Sequence, residues 1–161
     1  MTPFIQSKLA KLQAQYHDIK LYAVVDGLQY ERHLGDEISY QDGVSPLFRQ
    51  PEDAKIAFAG PWVFELSKLS KDVIDELITL EKSKPSLSWV FSQLDMFSLT
   101  NNLVDLLNVQ LPGERFALFR FYDPRVLIQL KEILTKEQLA HFMDNIYDWT
   151  FYHDDHYHSV V

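Results

Sequence analysis

Apolar residues along this chain follow two spacings, and the switches between them predict its elements. Ile5, Leu9, Leu12 and Tyr16 recur at helical intervals behind Thr2-Pro3, a cap followed by a first-turn proline. Leu21 to Asp26 is a continuous apolar run closed by Gly27. Its lack of alternation predicts a strand buried on both faces. Residues 28–60 hold Gly35, Gly43, Pro46 and Pro51 and read as long loops with short helical turns. Trp62–Leu66 and Leu87–Leu94 predict two more strands. Between them Ser70 caps a helix striped by Val73, Ile74, Leu77 and Ile78.

Met96, Leu99, Leu103, Leu106 and Leu107 mark a further helix, and Leu111-Pro112-Gly113 turns the chain into a fourth strand, Phe116–Tyr122. Asp123-Pro124 starts a helix striped by Val126, Leu127, Leu130 and Leu134. Thr135 to Gln138 forms a capping box ahead of Leu139, Phe142 and Met143. Ile146–Tyr152 is expected as an edge strand, and residues 153–161 as a mobile tail. Strands alternating with helices predict one α/β domain over residues 1–161, a mixed and mostly buried sheet of about five strands flanked by amphipathic helices.

Composition narrows the function. The chain has 161 residues, an ordinary single-domain length, and a formal net charge of −8 from 15 basic and 23 acidic side chains. Its densest basic stretch, Lys68 to Lys84, is interleaved with Asp72, Asp75, Glu76 and Glu81. That pattern argues against nucleic-acid binding and against docking on anionic membranes. The absence of cysteine removes thiolate catalysis, disulfides and cysteine-bearing zinc sites. Residues 1–8 lack a secretory layout and no apolar run reaches membrane-spanning length, so a cytoplasmic location is expected.

The densest chemistry lies in Phe119-Arg120-Phe121-Tyr122-Asp123-Pro124-Arg125-Val126, where the pattern predicts that a strand meets a helix. Arg120 and Arg125 would suit an anion as forked donors. The competing reading has Asp123 capping the helix and pairing with an arginine, and it is the stronger because capping already explains Asp123-Pro124. Asp26, at the end of a buried strand, raises the alternative of a small phosphoryl-transfer or hydrolytic enzyme using Asp26 with Arg120 and Arg125. Leu28, Gln29 and Tyr30 supply neither a phosphate loop nor a second carboxylate, which weakens that alternative. His153, His156 and His158, beside Asp154 and Asp155, are ligand types for zinc, nickel or copper, but their place near the terminus argues against a fixed metal site. No cofactor is implied. Tyr30, Tyr40, Leu47 and Phe48 either form a partner-binding patch in the irregular region or pin its loops.

These motifs occur in an order that resembles a bacterial family first catalogued as a domain of unknown function, whose members act as effector adaptors of type VI secretion systems. The resemblance rests on Leu21–Gly27, Ser45–Phe48, Gly60–Leu66, Ser88–Ser92, Val109–Gly113, Phe119–Leu127 and Glu137–Phe142, within residues 21–149. Its most specific part is Phe119-Arg120-Phe121-Tyr122-Asp123-Pro124-Arg125. The resemblance implies a non-catalytic chaperone that binds a toxic effector and loads it on the VgrG spike protein. It brings no catalytic residues. Many such adaptors continue into a further C-terminal lobe that has no counterpart here, which implies a short form with fewer spike contacts or one that dimerises.

Overall fold

A computed structural model describes residues 1–111 and 113–161, with backbone alone for residues 109–111 and 116. Pro112 of the expected Leu111-Pro112-Gly113 turn lies outside the described residues. In chain order the elements are α1 (Pro3–Gln15), β1 (Lys20–Asp26), α2 (Gly27–Leu34), β2 (Val44–Pro46), β3 (Pro61–Glu65), α3 (Lys71–Ser83), β4 (Leu87–Ser92) and α4 (Met96–Leu106). Then follow β5 (Asn108–Leu111), β6 (Arg115–Leu118), α5 (Pro124–Leu127), α6 (Leu130–Ile133), α7 (Lys136–Phe142), β7 (Ile146–His153) and β8 (His156–Ser159). Side-chain oxygens set most helix starts: Asp26, Ser70, Asp95, Asp123 and Thr135 each accept a backbone N–H from the first turn that follows. No described helix is long and apolar enough to cross a membrane.

Six strands form one sheet in the order β2-β3-β1-β4-β7-β8, and β5-β6 is a separate two-stranded ladder. The α/β class is as expected, but the described ladders all run antiparallel, so the expectation of a mixed sheet is corrected. Buried apolar runs show that a strand is covered, not which way its neighbours point.

β1 is central, paired with β3 through Ala23↔Phe64 and with β4 through Ala23↔Trp89. Its pleat divides the core. Leu21, Ala23 and Val25 join Trp62, Phe64, Trp89 and Phe91 on one face, under Ile5 of α1 and Leu77 and Leu80 of α3. Tyr22 and Val24 join Val63, Val90, Trp149 and Phe151 on the other, under side chains from α4 to α7. The three tryptophans are fully buried, and each indole N–H is satisfied: Trp62 donates to the Ala57 carbonyl (3.1 Å), Trp149 to Ser88 Oγ (2.8 Å) and Trp89 to Glu81 Oε2 (2.5 Å).

Four expectations change. The strand Phe116–Tyr122 is instead the short β6 followed by an irregular segment. Phe119 N–H donates to the Leu107 carbonyl and Asp123 N–H to the Arg120 carbonyl, and that turn ends the extended run. β7 is an interior strand, because β8 lies outside it. The tail is not loose. Asp154 and Asp155, with φ of 51° and 62°, make a tight hairpin turn, and Val160 beyond β8 is 2% exposed. Finally, residues 28–60 contain α2, whose first residue must be glycine. A Cβ on Gly27 would sit 2.0 Å from the Phe58 carbonyl oxygen.

Candidate functional site

The sequence-predicted chemistry converges where β1 ends against the segment before α5. Backbone bonds from Asp26 N–H to the Ser86 carbonyl and from Gly27 N–H to the Gly60 carbonyl, both 2.8 Å, hold the end of β1. Asp26 is buried, and its Oδ1 accepts from the N–H groups of Leu28 (3.0 Å) and Gln29 (3.4 Å), the start of α2. Burial pushes its carboxyl above the ordinary range. The two backbone donors and the Arg120 charge oppose that shift, and the Asp123 charge adds to it.

Asp123 is buried too. It accepts from Arg125 N–H (2.9 Å), and its two oxygens take Arg125 Nε (3.0 Å) and Nη2 (2.9 Å). Those hydrogen bonds strengthen the Arg125 guanidinium's hold on its proton. Arg120 is exposed, with its guanidinium carbon 5.6 Å from the Tyr122 ring centre. Burial pushes the Tyr122 hydroxyl up, with Arg120 opposing and Asp26 and Asp123 adding. The tertiary structure therefore brings Asp26, Arg120, Tyr122, Asp123 and Arg125 into one electrostatic neighbourhood.

That neighbourhood is already employed in architecture. One carboxylate starts α2; the other starts α5 and clamps Arg125. Phe121 is fully buried and packs edge-on against Tyr122 (6.1 Å), Phe142 (6.0 Å) and Trp149 (5.7 Å). Among the described residues every buried side-chain nitrogen or oxygen has a hydrogen-bond partner. A catalytic or anion site built here would first have to release groups that hold two helix starts.

The other candidates separate in space. His158 Nε2 lies 3.0 Å from the His153 carbonyl, His153 sits beside Asp154 (3.4 Å), and His156 is exposed. Among the described residues no group of three or more His, Asp or Glu is placed to hold a metal ion. Of the expected patch, Leu47 is 1% exposed and belongs to the core, because it caps the face containing Val24 and Val63; it is removed from any contact surface. Phe48 packs on that same face, against Gly60, whereas Tyr30 packs on the opposite one with its hydroxyl 3.5 Å from Glu76. Tyr40 is 74% exposed and meets Trp62 edge-on at 5.1 Å. The four residues thus do not form one patch.

A different apolar surface was missed. Leu106, Phe119 and Leu134 line a depression of about 400 Å³ between α4, the chain leaving β6, and α7. Each was legible as an apolar helix or strand position. Their incomplete burial was not, because it depends on how short helices meet.

No curated protein and no solved structure matches the chain. Residues 21–141, well over half of the 161, match the family described as a domain of unknown function (DUF4123), and the chain belongs to that family.

Proposed function

We propose that this protein is a cytoplasmic, non-catalytic adaptor of type VI secretion that binds a toxic effector and helps load it onto the VgrG spike. What carries the reading is the ordered resemblance of the motifs from Leu21 to Trp149, led by Phe119–Arg125. The geometry supports it in one respect. The residues that look most like chemistry are committed to helix starts and core packing, while large apolar side chains such as Tyr40 and Phe97, each 74% exposed, stand on the surface.

The test is deletion of the gene in a secreting strain. Release of one effector should stop while the contractile apparatus still fires, and that effector should co-purify with the tagged adaptor. Normal release of every effector would overturn the reading.

One observation favours a second reading, a phosphoryl-transfer or hydrolytic enzyme: Asp26, Arg120 and Asp123 lie close enough for their charges to be coupled. Turnover of phosphate esters with magnesium, lost in Asp26→Asn, would establish it.

A further inference from the structure

Three depressions on the α4–α7 side of the sheet adjoin one another through shared lining residues and are taken together as a trough. The first lies between Leu94 and Ile146, the second between Leu106 and Ile146, and the third runs from Leu106 to Leu134. Asn145 and Ile146 are shared by the first two, and Leu106 and Phe142 by the second and third. The partly exposed floor is apolar: Leu94, Leu106, Phe119, Leu134 and Ile146. The exposed rim carries Asp105, Glu137 and Asp144 together with His141, and among the described residues no lysine or arginine lines the three depressions.

We propose that this trough binds a basic amphipathic segment of a partner protein, with apolar side chains on the floor and lysines or arginines against the rim. Charge complementarity selects this occupant. A concave apolar surface edged mostly by one sign of charge concentrates the opposite sign, and here three carboxylates stand against the single imidazole of His141 in a chain of net charge −8. An acidic segment would bring carboxylates against carboxylates. The floor supplies most of the affinity and the rim the selectivity and salt dependence. The proposal deepens the adaptor reading and shares its premise that the ligand is a protein.

The probe is a synthetic peptide of about 18 residues, about five helical turns, with leucine and phenylalanine on one face and lysine and arginine on the other. Its controls are a scrambled peptide of the same composition and one with glutamate replacing the basic residues. The basic amphipathic peptide should bind at least about tenfold tighter than either control. It should also shift the methyl resonances of Leu106, Leu134 and Ile146. The double variant Asp105→Lys, Glu137→Lys, at two exposed positions and with its fold checked by circular dichroism, should weaken it about tenfold and favour the acidic peptide. Equal binding of the scrambled peptide, shifts confined to another surface, or indifference to charge reversal would overturn the proposal. The double variant also separates the two readings. If it still carries the effector out of secreting cells, the trough fails and the adaptor reading stands. If the wild-type protein carries no effector yet the peptide seats in the trough, the adaptor reading fails and the trough stands.

Discussion

The two faces of the central sheet are covered in different ways. On one face α1 and α3, each 13 residues long, lie across the strands and are fastened by polar contacts between distant parts of the chain. Glu81 of α3 is buried and accepts from both Trp89 Nε1 and the Tyr157 hydroxyl, and Thr2 Oγ1 is 3.0 Å from that hydroxyl. Lys8 of α1 donates to Asp148 (2.9 Å), Thr150 (3.0 Å) and Ser159 (2.9 Å) of β7 and β8. On the other face the 11-residue α4 is joined by α5 and α6, of four residues each, and α7, of seven, which are too short to be stable alone. They are held by an aromatic cluster in which Phe142 stacks on Trp149 at 4.6 Å and meets Phe119 at 5.9 Å. Short pieces hinged at caps leave gaps, and the trough is such a gap.

The strongest way to break the comparison is at the chain's end. Truncation after His153 removes β8, the Tyr157 hydroxyl from Glu81, and the buried Val160. Burial of such side chains contributes ~1.5–3 kcal/mol each, so the loss should reach about 5 kcal/mol, comparable with the whole stability of a small domain. Urea denaturation measures it, and an unchanged midpoint would mean that the chain's end holds neither the first face through Tyr157 nor the second through Val160.

Phe142→Ala attacks the second face. It should cost ~3–4 kcal/mol, since the short helices cannot collapse into the space without losing their other ring contacts. Native-state hydrogen exchange should show α5–α7 opening before α1 and α3. Uniform loss of protection would show that the faces are not separate units.

Glu81→Gln sharpens the electrostatic side. Burial raises the Glu81 carboxyl above its ordinary value, so between that value and the raised one the folded state binds a proton that the unfolded chain has released. Stability therefore falls as pH rises through this window. The variant keeps an acceptor for Trp89 and should flatten the fall. Equal slopes for both proteins in melting temperature against pH would remove Glu81 as the cause.

The smallest expected effect is Asp123→Ala, which removes the α5 cap and the Arg125 clamp at an exposed guanidinium. A loss of ~1 kcal/mol is expected, with partner binding retained. Normal stability with abolished binding would instead make Asp123 a ligand group.

What could be read in the one-dimensional chain was local. The run from Leu21 to Val25 lacks alternation because both faces of β1 are covered, and Ser70, Asp123 and Thr135 mark helix starts because a cap bonds only a few residues ahead. One local signal was passed over. Ile146–Tyr152 and Tyr157–Val160 are two strand-like runs joined across Asp154-Asp155, residues that tolerate positive φ, so the final hairpin was legible. Other features required the tertiary structure: the antiparallel order of the sheet, β7 inside it, Leu47 in the core, Asp26 near Asp123, and the trough. Each depends on which distant segments pair or pack. A residue's own type and near neighbours determine which element it favours and whether it caps a helix, whereas its degree of burial and the position of its partners are decided only when the whole chain closes.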